Sequence, residues 1–161
     1  MKTRESYSKL QIALHWLIFV LFAVNYIVSD DMGRALRQVQ ETGGMDNVAP
    51  TVRVHVLVGI AILALTVIRL LVKFVQGAPA QPEGNALLNK LAKLGHMALY
   101  VLLVLLPLSG LMAWFGGVRE AGEVHEVLVN LTLALIIVHA AAALFHQFVL
   151  KDNLMARMRP R

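Results

Sequence analysis

The chain has 161 residues, 58% of them hydrophobic, with no cysteine and a net charge of +5. The missing thiols exclude disulfides, iron–sulfur ligation, thiolate zinc sites, thiol catalysis and covalent haem attachment through C-x-x-C-H. The apolar content exceeds the roughly 45–50% of soluble domains and leaves no soluble basic face for nucleic acid, so the partner expected from composition is membrane lipid. The length suits a single domain over residues 1–161, since domains usually take about 100–200 residues.

Four apolar stretches run from about Leu10 to Val28, Val52 to Val72, Leu94 to Phe115 and Val124 to Leu150. Each is close to the ~20 residues that carry a helix across the bilayer. They lack the alternation of barrel strands, so the expected fold is all-α, a bundle of four transmembrane helices. The first stretch follows Lys2, Arg4 and Lys9, as a secretory signal would. It is longer than a typical signal core and no small-x-small cleavage site follows Val28, so it is expected to remain in the mature protein. The segment from Ser29 to Thr51 is polar and broken by Gly33, Gly43, Gly44 and Pro50; it reads as a loop with room for a short helix. A second loop from Gln76 to Asn89 holds Gly77, Pro79, Pro82 and Gly84, and a tight third loop runs from Gly116 to Glu123.

Basic residues set the orientation. Lys2, Arg4, Lys9, Arg69, Lys73, Lys90, Lys93, Lys151, Arg157, Arg159 and Arg161 flank one side, against Arg34, Arg37, Arg53 and Arg119 on the other. Both termini are therefore expected in the cytoplasm. Eleven basic and three acidic residues leave the inner side at +8, and four basic with seven acidic residues leave the outer side at −3, which together return the chain's +5.

Six histidines fall in or at the ends of the four stretches. An ionisable side chain inside a span is costly unless it has a partner, which makes each a functional candidate. One alone is as well explained by a hydrogen bond to a neighbouring helix; six together are not. His125 and His139 are 14 residues apart, so they differ by only about 40° around a helix and by ~21 Å along it. One face at two depths is what two stacked haems require, each held by this helix and one other. By depth, His55 is the partner for His125 in an outer pair. His15, six residues past Lys9 and so ~9 Å deep, is a better partner for His139 than His96, which lies three past Lys93. Pairings that use His96 stay open. His96 and His146 would then lie near the inner surface, suited to proton-coupled chemistry. Arg69, 14 residues past His55 on the same face, could meet a haem propionate or a quinone oxygen, while Lys73 reads as a boundary charge that snorkels. Gly59, Gly110 and the Ala140 to Ala143 run offer room for a flat macrocycle, although small residues also serve ordinary helix packing.

Tyr7-Ser8-Lys9-Leu10-Gln11 with His15-Trp16, Leu94-Gly95-His96, Pro107-Leu108-Ser109-Gly110, and His139 to His146 followed by Lys151-Asp152-Asn153 resemble the bacterial cytochrome b561 family over nearly the whole chain. The resemblance implies a multi-pass bacterial inner-membrane protein with two haem b groups, one on His15 and His139 and the other on His55 and His125, these four being the iron ligands. It also implies a quinone site near the cytoplasmic end of the fourth helix, where His146 lies, with His96 and Arg69 as further candidates. The function expected is that of an oxidoreductase passing electrons from a periplasmic one-electron donor, superoxide or a redox protein, to ubiquinone or another quinone. The runner-up is a cytochrome b membrane subunit linking quinone to a soluble dehydrogenase or cytochrome. A haem-free proton-coupled or metal transporter is the third reading; against it, the spans lack the carboxylates of a proton relay.

Overall fold

The computed structural model describes residues 6–42, 48–79, 86–152 and 154–158. Lys2, Arg4, Glu5, Asp46, Glu83, Arg159 and Arg161 of the charge tally, the breakers Gly43, Gly44, Pro82 and Gly84, and Asn153 lie outside the described residues. Five α-helices follow in order: α1 Lys9–Ile27, α2 Met32–Thr42, α3 Pro50–Gln76, α4 Ala86–Trp114 and α5 Arg119–Phe145. A π-helical turn, His146–Leu150, extends α5, and a 3-10 turn, Leu154–Met158, comes after it. The helices α1, α3, α4 and the extended α5 are each long and apolar enough to cross a membrane.

Local chemistry accounts for the helix ends. Ser8 caps α1 through its hydroxyl, which accepts from Gln11 N, while the Gln11 side chain accepts from Ser8 N at 3.1 Å. This reciprocal box satisfies two donors that a helix start otherwise leaves unpaired. Gln11 also donates from Nε2 to Gly77 O at 2.9 Å, tying the start of α1 to the end of α3. Gly77 ends α3 at φ 74° and ψ −172°, a conformation open essentially to glycine. Pro50 opens α3 at a position where a missing N–H costs nothing.

Two loop boundaries differ from the sequence expectation. Ala86–Asn89, expected in the second loop, belongs to α4, and Arg119–Glu123, expected in the third, is the first turn of α5. Ala86, Leu87 and Leu88 are good helix formers, and the charged Arg119, Glu120 and Glu123 are compatible with a helix that extends past its apolar stretch. The polar segment read as a loop with room for a short helix carries α2. Its Met32, Ala35, Leu36 and Val39 pack against Val48, Val52, Val56 and Trp114, and Arg34 pairs with Asp31 on its outer face.

Neighbouring helices pack in the order α1 on α3, α3 on α4 and α4 on α5. Ile18, Phe22, Ile62 and Leu106 form a dry layer where α1, α3 and α4 meet, with Leu128, Val129, Leu133 and Ile136 of α5 against it. Much of the remaining apolar surface faces outward, Phe74 being 90% and Ile27 72% exposed, as a lipid-facing surface requires.

Candidate functional site

The structure gathers five of the six histidines at two levels of the bundle. At the outer level the rings of His55 on α3 and His125 on α5 have centroids 6.2 Å apart. At the inner level His15 on α1 and His139 on α5 are also 6.2 Å apart, and His96 on α4 comes within 5.1 Å of His139. Thr132, midway between His125 and His139 on α5, is fully buried, and its hydroxyl donates to Leu128 O at 2.6 Å. No unpaired hydroxyl is therefore added to the dry layer at that point.

The pairs bridge helices that are not the closest neighbours. The tightest packing joins α1 to α3 and α4 to α5, whereas the histidines face one another from α1 to α5 and from α3 to α5. An imidazole nitrogen sits about 2 Å from a first-row metal, so two rings on opposite sides of one metal have centroids about 6 Å apart. Both 6.2 Å pairs meet that condition; the 5.1 Å contact of His96 with His139 is too close for it. Among the described residues no cluster of three or more His, Asp or Glu side chains has the arrangement of a bare metal-ion site.

The outer histidines are oriented through their other nitrogen. His125 Nδ1 lies 2.8 Å from Leu106 O and 3.2 Å from Ser109 Oγ, and His55 Nδ1 lies 3.2 Å from Asn25 O. Donation from Nδ1–H to a carbonyl leaves Nε2 as the free lone pair, the usual second partner of a metal-binding histidine. Pro107 interrupts the hydrogen-bond ladder of α4 at this level. Gly110 seats the ring of His125: a Cβ there would fall 3.0 Å from Cε1 and 3.1 Å from Nδ1. Gly110, read from the sequence as room for a macrocycle or as ordinary helix packing, lies against the His125 imidazole and also lines the cavity around it. A cavity of about 600 Å³ surrounds the outer pair, lined by Gly59, Pro107 and Gly110 on the apolar side and by Asn25, Arg37 and Arg119 on the polar side. That volume is in the range of cofactor sites. Asn25 Oδ1 is buried in it without a hydrogen-bond partner, an acceptor that the protein itself does not satisfy. The residues at both levels fit bis-histidine haem ligation. α2 closes over the outer level, with Leu36 Cδ2 so near α5 that a Cβ on Gly122 would meet it at 3.1 Å.

At the inner level Arg69 Nε donates to Tyr100 Oη at 3.1 Å, and Lys73 Nζ lies 4.6 Å from the centroid of the same ring. Lys73, read from the sequence as a boundary charge, lies over Tyr100. His96 is deeper than its distance from Lys93 suggested, because α4 starts at Ala86 and carries it ten residues into the helix. Burial, then the neighbouring Tyr100, push the Tyr7 phenol up, while Arg69 and Arg157 pull it the other way. His146 stands apart from the inner group. Its ring meets Phe145, and its Nδ1 lies 2.5 Å from Asp152 Oδ2. Slight desolvation works to raise the Asp152 carboxyl, but hydrogen bonds from His146 and the Leu154 amide, with Arg157 nearby, hold it below its ordinary range.

Asn25, Tyr100, Asp152 and the carbonyl of Leu106 escaped the sequence reading. Tyr100 is one helical turn from His96, and Asp152 lies in a motif already noted; Asn25 and Leu106 carry no comparable signal in the sequence.

A helical membrane bundle with histidines paired across it at two depths defines a membrane cytochrome b. The sequence profile of prokaryotic cytochrome b561 matches residues 6–161, and the chain belongs to that family. It is 41% identical to cytochrome b562 of Cereibacter sphaeroides over all of both chains. It is 31% identical to the probable superoxide oxidase CybB of Yersinia pestis, covering 98% of this chain and 97% of that one. It is 32% identical to cytochrome b561 homolog 1 of Escherichia coli, covering 96% and 97%. The protein is thus a haem-binding electron-transport cytochrome of the bacterial inner membrane, with b-type haem as its cofactor. The reading as a haem-free transporter gives way to this.

Proposed function

We propose that the protein carries single electrons from a periplasmic donor to a quinone at the cytoplasmic side, with His55 and His125 holding an outer haem and His15 and His139 an inner one. The observation that carries this reading is the repetition of one ring separation, 6.2 Å, at two levels of the same helix. A haem held by such a pair would supply reversible one-electron storage. The chain's own contribution is to aim both outer Nε2 atoms through Nδ1 bonds, to exclude water with the dry layer, and to keep the two levels ~21 Å apart along α5. Basic residues at the inner side support cytoplasmic termini. His146, near the inner end of α5, supplies protons to the quinone, and Arg69 and His96 border the same side.

A reduced-minus-oxidised visible spectrum with a pyridine haemochrome count tests this on detergent-purified protein. About two haems per chain are expected; a single haem would overturn the pairing.

The donor divides into two readings. The name of the Yersinia pestis relative favours superoxide, and Arg37 and Arg119 of the outer cavity would attract that anion. Asp30, Glu123 and Glu126 also line the cavity and favour a basic redox protein, as the net −3 outer side does. Steering by opposite charge weakens as salt shortens the screening length. Reduction by a basic c-type cytochrome should therefore slow by about tenfold between low salt and 0.5 M. A salt-independent rate with that cytochrome, together with rapid bleaching of generated superoxide, selects the superoxide reading.

A further inference from the structure

The inner end of α5 is built around a contact that ligation does not use. α5 gives way to the π-helical turn His146–Leu150, and Lys151 follows at φ 53°, a left-handed conformation unfavourable for a residue with a side chain. Together they reverse the chain and bring Asp152 back against His146. Asp152 N donates to His146 O at 3.3 Å, Asp152 Oδ2 lies 2.5 Å from His146 Nδ1, and Asp152 Oδ1 accepts from Leu154 N at 3.1 Å. Single π turns are frequent at functional sites. Here the π turn and the left-handed residue close the same contact.

We propose that Asp152 is a positioning residue for proton delivery by His146. Its carboxylate accepts from Nδ1–H and so reserves Nε2 for the quinone oxygen. This rests on the reading above, in which a quinone is reduced at the cytoplasmic side with electrons from the periplasmic donor. In each transfer the Nε2–H bond of the imidazolium breaks, its electron pair stays on Nε2, and an O–H bond forms on the quinone. Two electrons and two such protons convert quinone to quinol. Nδ1–H stays on Asp152 throughout, and cytoplasmic water returns a proton to Nε2. Fixing one tautomer in this way is how a carboxylate supports a proton-transferring histidine elsewhere. Arg157, in the 3-10 turn, is the other charge that acts on Asp152; it favours the carboxylate form.

The test uses the full-length, haem-loaded protein, reduced with dithionite and mixed in stopped flow with a water-soluble ubiquinone analogue. Asp152→Asn keeps an oxygen for Leu154 N and puts an NH2 donor in place of the accepting carboxylate oxygen against His146 Nδ1. It is expected to slow reoxidation at saturating quinone by roughly 10- to 100-fold, with unchanged half-saturation and unchanged haem spectra. Asp152→Glu should recover most of the rate. His146→Ala should be slow and rescued by added imidazole, and the double variant His146→Ala/Asp152→Asn no slower than His146→Ala alone. A wild-type rate in Asp152→Asn beside a slow His146→Ala overturns the positioning role and leaves the quinone reading standing. A wild-type rate in His146→Ala overturns that reading itself. Loss of haem in Asp152→Asn, or additive losses in the double variant, would show a role confined to folding and overturn the proposal.

Discussion

His125→Ala is expected to purify with one haem instead of two, and His55→Ala with the same one. The two rings face each other at 6.2 Å across α3 and α5, and neither level has a spare histidine except the inner one. His15→Ala and His139→Ala should lose the other haem, so that four variants fall into two spectral classes. His96→Ala is expected to keep both, because its ring stands 5.1 Å from His139, closer than the about 6 Å that two rings sharing one metal require. Haemochrome counts with low-temperature spectra, which separate the two bands, read the result directly. An inner haem lost in His96→Ala and kept in His15→Ala would reassign the inner pair. Reduction by dithionite should still reach the remaining haem in each variant, while electron transfer from donor to quinone should fall to background in all four ligand replacements.

The second large effect is expected at a residue that touches no iron. Gly110→Val should lose the outer haem much as His125→Ala does. A Cβ at Gly110 would lie 3.0 Å from Cε1 of His125, and the ring cannot slide away without giving up its bond to Leu106 O at 2.8 Å. Overpacking of this kind costs about 1–3 kcal/mol, which is roughly five- to 150-fold in affinity. Gly110→Ala should show a smaller loss in the same direction. Ser109→Ala should keep the haem, since the carbonyl of Leu106 still orients Nδ1, and shift only the potential of the outer haem. Haem titration into protein expressed without added haem measures the affinities, and a redox titration measures the potential. Full outer-haem content in Gly110→Val would mean that the His125 ring has room to move.

The inner level illustrates how a depth argument drawn from sequence can go astray. His96 lies three residues past Lys93, and a basic residue there suggests the edge of the hydrocarbon. A charged residue can instead sit within a helix, as Lys90 and Lys93 do on α4, which starts at Ala86. The histidine is carried inward with the helix and reaches His139. Lys73 on α3 lies over the ring of Tyr100 on α4, a contact that its position along α3 does not reveal.

Hydrophobic length, read along the chain, determined four spans and the helical class, because the hydrocarbon thickness and the need to satisfy every backbone group leave few other folds. The 14-residue interval from His125 to His139 determined that one helix presents two levels, since helical phase is a local property of sequence. Motifs carried the family resemblance that the comparisons bear out. Only the tertiary structure decided which carbonyls aim the outer imidazoles, that Gly110 seats one of them, that His96 approaches the inner pair and that Asp152 folds back on His146. Each of these depends on where a second helix or a reversing turn lies, and the spacing of residues within one helix carries no information about the distance to the next.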